Sequence, residues 1–210
     1  MPNDSVVIAL NEIAAEVREC PKCELCKSRT HAVPGEGDPH ARIMLIGEGP
    51  GYHEDQQGRP FVGASGKFLS ELLAQAGLKR EEVFITNVVK CRPPGNRDPL
   101  PDEIAACSSY LDRQIEAINP DVIVTLGRFS MARWFAGERI SKIHGQPRKS
   151  NGRLIVPMFH PAAALHQQSI RPQIEEDFRK LPKFLAEVEQ ERAEKEKGDP
   201  EPSPSQMNLF

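Results

Sequence analysis

The 210-residue chain has no apolar run approaching the roughly 18 residues of a membrane span, and residues 1–20 lack the basic-then-apolar order of a secretory leader. A cytoplasmic protein with no membrane partner is expected. Nor does one charge dominate, because 27 Lys and Arg oppose 30 Asp and Glu, and the deficit falls within residues 181–210. The rest of the chain is neutral. There is no internal repeat, and 39% apolar with 27% charged residues is ordinary for a globular protein, which excludes collagen, coiled coil and full disorder. Five cysteines are an odd number, and without a leader they do not suggest a disulfide framework. Nucleotide fingerprints are missing too. Gly47-Glu-Gly-Pro-Gly51 lacks the third glycine of Gly-x-Gly-x-x-Gly, no helix is expected to begin at once after it, and no Walker lysine stands at the required spacing.

What is present begins with periodicity. Four short runs rich in Ile and Val, residues 42–46, 83–89, 121–126 and 154–158, predict buried strands. Helical spacing is predicted over 4–19 (capped by Asp4 or Ser5), 64–76, 102–118, 128–135 and 172–195. Alternating strands and helices imply an α/β fold, a three-layer α/β/α sandwich around a mostly parallel four-stranded sheet, with ligands beyond the carboxyl ends of the strands. One domain over 1–195 is expected, then a linker over 196–205 with no apolar residue from Gly198 to Ser205, then a greasy peptide over 206–210. Within the body, Arg128, Arg133, Arg139, Lys142, Arg148, Lys149 and Arg153 face only Glu138, so a basic surface for phosphates is conceivable.

Cys20 and Cys23 have the two-residue gap that lets both thiolates reach one metal centre, and Cys26 follows after the same gap. Cys91 lies just past a strand and Cys107 within a helix. Four converging thiolates suit tetrahedral zinc or an iron-sulfur cluster, and spacing does not choose between them. Glu48, Asn87 and His160 stand at strand ends, where an open sheet places its site. A neutral His160 can donate to an anion forming on a substrate, the Asn87 amide can pair with one edge of a planar base, and Phe61 offers a ring for stacking.

Four blocks in order carry a resemblance: Gly47-Glu-Gly-Pro-Gly51 with Glu54-Asp55, Gly58-Arg-Pro-Phe-Val-Gly63, Thr86-Asn-Val-Val-Lys-Cys-Arg-Pro-Pro94 with Asn96-Arg97, and Phe159-His-Pro161. From about Cys20 to Leu185 the sequence resembles the family 4 uracil-DNA glycosylases, the iron-sulfur members of their superfamily. The resemblance implies a 4Fe-4S cluster on Cys20, Cys23, Cys91 and Cys107, leaving Cys26 as a surplus thiol. It implies a base-flipping enzyme that hydrolyses the N-glycosidic bond of uracil in DNA, the first step of base excision repair. Catalytic roles fall to Glu48 and His160, and substrate binding to Gly47, Gly49, Glu54, Phe61 and Asn87. Glu54 would fill the space needed by a thymine methyl. Pro161, Ala162 and Leu165 would meet DNA, with Leu165 entering the vacated stack.

Two departures bear on this. Ile140-Ser-Lys-Ile-His144 stands where family members often carry an arginine, so His144 is either a phosphate contact or a neutral surface residue. The basic insert of a related branch that forms a covalent histidine adduct has no room between Asn87 and Cys91, so simple hydrolysis is preferred. No lysine is marked for Schiff-base chemistry, and strand cleavage is not expected. Gln206-Met-Asn-Leu-Phe210 resembles the Gln-x-x-Leu-Phe peptides by which bacterial repair and replication proteins dock on the sliding clamp, with Gln206, Leu209 and Phe210 as anchors. A monomer associated with the nucleoid is expected. The rival readings are a non-catalytic iron-sulfur factor bound to DNA or the clamp, and a zinc-bound nucleotide hydrolase. Intact Glu48, Asn87 and His160 favour the enzyme over the non-catalytic factor.

Overall fold

The computed structural model describes residues 4–198, with side chains described as far as residue 194. Asp4 caps helix α1 (Ser5–Glu19), accepting from the Val6 amide at 3.0 Å. Four parallel strands follow in the predicted runs: β2 (Ile43–Gly47), β3 (Phe84–Asn87), β4 (Val122–Leu126) and β6 (Arg153–Met158). They are buried on both faces, which explains their continuous apolar sequence. Met44 and Ile46 join one core with α1 and α4 (Pro101–Ile118), while Ile43 and Leu45 join the other with α3 (Ala64–Gln75), α8 (Arg171–Arg179) and α9 (Leu181–Gly198). The three layers are as expected.

Among the described residues the sheet has six strands rather than four, in the order β1 (Glu36–Gly37), β3, β2, β4, β6 and β5 (Arg148–Ser150). The additional strands, β1 and β5, pair antiparallel at the two edges. At two and three residues, with polar or charged composition, they carry no apolar signature, as suits edges that must not recruit another chain. The stripe over 172–195 forms two helices, parted at Lys180. Pro182 explains the break: it has no amide to bond the preceding turn, and its ring clashes there. Residues 128–135 yield only the single turn α5 (Arg128–Met131), followed by α6 (Ile140–Ile143). Helix α9 extends three residues into the predicted linker. The rest of that linker and the peptide 206–210 lie outside the described residues.

Candidate active site

β2 connects through α3 to β3 on one side, while β4 leads to β6 on the other. The connections diverge between β2 and β4, and a crevice opens at their carboxyl ends. A cleft of about 550 Å³ lies there, within the usual range for small-molecule sites. Glu48, Gly49, Glu54, Phe61, Asn87, His160 and Ala162 line it. Of the other candidates, Pro161 is buried at the start of α7 (Pro161–His166), and Leu165 on the same helix is 50% exposed. Gly47 lies behind the wall. A Cβ there would stand 2.4 Å from Asn87 Oδ1 and 2.7 Å from Phe61 Cζ, so glycine is what lets the ring and the amide close in.

The glycine turn leads at once into α2 (Tyr52–Gln57), against the expectation of no helix. Glu54 makes this possible by reaching back to the Gly51 amide with Oε2 at 3.1 Å. Its Oε1 accepts from the amides of Val62 at 2.9 Å and Gly63 at 2.8 Å. These bonds hold the loop that presents Phe61, whose φ of 50° is a strained choice for a bulky residue. Gly66 completes the clamp, because a Cβ there would fall 1.9 Å from the Phe61 carbonyl oxygen. Glu54→Gln is therefore expected to lower stability by about 1–3 kcal/mol, since one carboxamide nitrogen must face the Gly51 amide. A urea midpoint unchanged from the parent would contradict this.

His160 accepts from the Ala162 amide through Nδ1 at 3.1 Å, which leaves the ring proton on Nε2. Burial pushes its pKa down to about 4, with Glu54 pulling weakly the other way, so the ring is neutral near pH 7. Its plane lies 24° from that of Phe61, with centroids 5.5 Å apart. Asn87 is buried, and its Oδ1 has no hydrogen-bond partner among the described residues. An orphaned acceptor of this kind is satisfied by a ligand donor. Burial raises the Glu48 carboxyl above its ordinary value, Asp98 adds to the rise and Arg128 opposes it.

The cleft also includes Ser65, Pro93, Asn96, Arg97, Asp98 and His166, which were not among the candidates. Asn96-Arg97 belonged to a quoted block, whereas Ser65 and His166 gave no signal of their own. Four of the seven bases in the stretch are paired: Arg128 with Asp98, Arg133 with Asp112, Arg148 with Glu138 and Lys149 with Glu191. Glu138 was already in the local count, but Asp98, Asp112 and Glu191 come from outside the stretch, so that count overstated the charge. His144 Nδ1 lies 2.6 Å from the buried Asp177 carboxylate, and its ring packs on Phe159.

All five cysteines line one pocket, together with Lys22 and Lys90. Arg29 Nη1 lies 3.2 Å from Cys91 Sγ, and the Lys90 amide donates to Cys107 Sγ at 3.3 Å. Lys90 is fully buried, with Nζ donating to Thr86 Oγ1 at 2.5 Å, the Asn87 carbonyl at 2.9 Å and Gln114 Oε1 at 2.7 Å. Burial lowers its pKa to about 8. Desolvation also pushes the Cys91 thiol up to about 11 and raises Cys23 and Cys107. Thiols in such a place ionise only when a positive centre binds them, while the surrounding cations suit the net negative charge of a thiolate-bound cluster. The donor set fits a group held by thiolates.

A doubly wound sheet with a small-molecule cleft at its switch point, walled by Glu48, Phe61, Asn87 and His160, defines the class. The family model described as the uracil DNA glycosylase superfamily matches residues 34–187, and the chain belongs to that superfamily. It is 53% identical over 187 residues to a Type-4 uracil-DNA glycosylase of Saccharolobus solfataricus, covering 84% of this chain and 87% of that one. Type-4 uracil-DNA glycosylases of Sulfurisphaera tokodaii (52% identity, 82% of this chain, 83% of the relative) and Thermotoga maritima (47%, 84% and 95%) are similarly matched. Among the described residues no helix is long and apolar enough to cross a membrane.

Proposed function

We propose that the chain is a monofunctional uracil-DNA glycosylase, which hydrolyses the N-glycosidic bond of uracil in DNA and thereby begins base excision repair. The observation that carries this reading is a single cleft in which a neutral His160 with its proton on Nε2 meets the unpartnered Asn87 Oδ1 and the Phe61 ring. A stacked base is out of reach, so the nucleotide is extruded at a cost of a few kcal/mol, least where uracil is mispaired or unpaired. Leu165, exposed on α7 beside Pro161 and Ala162, is suited to fill the gap left in the stack.

In the cleft the base stacks on Phe61, and the Asn87 amide accepts from N3–H while donating to O4. Gly47 and Gly49 keep the floor low enough for this approach. Glu54, immobilised by three backbone amides, occupies the space next to C5 and discriminates against a methyl group. As the glycosidic bond lengthens, negative charge gathers on uracil O2 and positive charge on the sugar. His160 donates Nε2–H to the first, and the Glu48 carboxylate stabilises the second or orients the attacking water. Among the described residues no lysine lines the cleft to form a Schiff base. Free uracil and an abasic site in an intact strand are the products.

Cys20, Cys23, Cys91 and Cys107 are the residues that would hold a 4Fe-4S cluster in the thiol pocket. Such a cluster, when bound, supplies a cross-link between the segment after α1, the end of β3 and α4. Arg29 and Lys90 offset its charge, and Lys90 also holds the Asn87 carbonyl. The protein acts as a monomer in the cytoplasm, on nucleoid DNA. Gln206, Leu209 and Phe210 dock it on the sliding clamp, so deletion of 206–210 is expected to abolish clamp pull-down yet leave activity on short oligonucleotides unchanged. Retained pull-down would refute the docking role.

A labelled oligonucleotide with one uracil, incubated with the purified chain and then treated with alkali, tests the main reading. Cutting at the uracil position should require both the protein and alkali. If no uracil-dependent cut appears, the enzyme reading fails and the non-catalytic factor takes its place. Cutting without alkali would instead indicate a lyase step.

A further inference from the structure

Cys26 is left over when four ligands are assigned, yet it lines the same pocket as the other four thiols. Its place follows from the turn Glu24–Lys27, a 3₁₀ helix capped by Cys23. Residues three apart in such a turn eclipse one another, and the Cys26 amide bonds the Cys23 carbonyl at 3.2 Å. Cys23 and Cys26 therefore share the inward side, with Leu25 buried beside them. Glu24 and Lys27 point outward and pair with each other at 2.8 Å, their side chains 76% and 71% exposed. The far end of the segment is tied down by Arg29, which donates to the carbonyls of Cys20 at 2.9 Å and Arg18 at 2.6 Å.

Two of the thiols have polar support: Cys91 Sγ lies 3.2 Å from Arg29 Nη1, and Cys107 Sγ receives the Lys90 amide at 3.3 Å. Sulfurs that bind a metal are ordinarily supported by such outer contacts. Among the described residues no donor reaches the Cys26 sulfur, so it lies in the pocket without a fixed partner and is free to turn.

We propose that Cys26 is a reserve ligand for the thiolate-bound cluster, able to take the coordination position of Cys23, its partner in the turn. The inference rests on the iron-sulfur reading above. With Cys26 in that position the gap to Cys20 widens from two residues to five, but the Cys26 amide is bonded to the Cys23 carbonyl at 3.2 Å, so the exchange needs only rearrangement within the turn. It is neutral in electrons: the bond from iron to Cys23 Sγ breaks, that to Cys26 Sγ forms, and the proton leaving the Cys26 thiol passes to the released Cys23 thiolate. A chain with such a spare keeps its cluster when the half-buried Cys23 is lost as a ligand.

Iron content and the broad absorption near about 400 nm that marks iron-thiolate clusters, measured on purified full-length chain, provide the test. Cys26→Ala should retain the parent's iron and absorption. Cys23→Ala should retain most of both, whereas the Cys23→Ala/Cys26→Ala double variant should fall to background. Cys91 belongs to the segment after β3 and not to the turn, so Cys91→Ala should lose its cluster whether or not Cys26 is present. If the double variant does not fold, Cys23→Ala/Cys26→Ser, which keeps a side chain of similar size but a poor iron ligand, replaces it with the same expectation. Equal loss in Cys23→Ala and the double variant overturns the reserve role, as does loss of iron in Cys26→Ala. A parent chain with zinc and no visible absorption overturns the iron-sulfur reading, and the reserve role with it.

Discussion

Replacement of His160 by alanine is expected to lower kcat on a uracil-containing oligonucleotide about 10²- to 10³-fold with little change in KM, the scale of losing one well-placed donor to a developing anion. The ground-state O2 of uracil is only weakly basic, so the bond from Nε2–H strengthens mainly as the glycosidic bond breaks. Its loss belongs in kcat. The orientation comes from the Ala162 amide, which occupies Nδ1 at 3.1 Å and commits the proton to Nε2. With its pKa lowered to about 4, the ring keeps this tautomer across the neutral range and gives no activity step between pH 5 and 8. Glu48 differs. Its raised carboxyl places the acid limb of kcat above the ordinary carboxylate range. Stability carries a further sign: the unfolded ring binds a proton near 6.5 and the folded ring only near 4, so stability declines as pH falls through that window and is regained as it rises. His160→Gln should flatten this slope in denaturant midpoints recorded against pH. A loss of rate smaller than about tenfold in His160→Ala would remove the residue from the chemistry.

The four parallel strands were legible because burial on both faces leaves an unbroken apolar signature, and Glu48, Asn87 and His160 were legible because the end of such a strand is where an open sheet places its ligand. Less could be read where the deciding partner is remote. The edge strands at Glu36 and Arg148 are defined by what they pair with, not by their own composition. Glycine at position 51 concealed the start of α2, since the usual Ser or Thr cap is absent and only Glu54 reveals it afterwards. Charge misled for the same reason: Arg128 and Arg133 look free in sequence, but Asp98 and Asp112 lie 30 and 21 residues away. Lys90 is the clearest omission. A lysine beside a cysteine reads as a solvated surface residue, and lysine is almost never fully buried unless paired. Only the folded chain brings Thr86, Asn87 and Gln114 around it.

Asn87→Asp should reduce kcat/KM for uracil about 30- to 150-fold and narrow the preference for uracil over cytosine. The amide offers one acceptor and one donor, the complement of uracil N3–H and O4, whereas a carboxylate offers acceptors only. N3–H retains its partner, but O4 faces a charged oxygen where it had a donor. A lost hydrogen bond of this class is worth about 2–3 kcal/mol, and about 1.4 kcal/mol is a factor of ten. Cytosine is affected in the opposite direction, because its exocyclic amine now meets an acceptor. Geometry keeps the swap clean: Asp has the size of Asn, Gly47 still leaves room for it, and Lys90 still holds the backbone carbonyl of residue 87. Parallel assays on single-stranded oligonucleotides carrying uracil or cytosine read the two effects without a contribution from base pairing. Should both substrates decline by the same factor, Asn87 supports the cleft but does not read the base, and selectivity must then reside in Glu54 and Phe61.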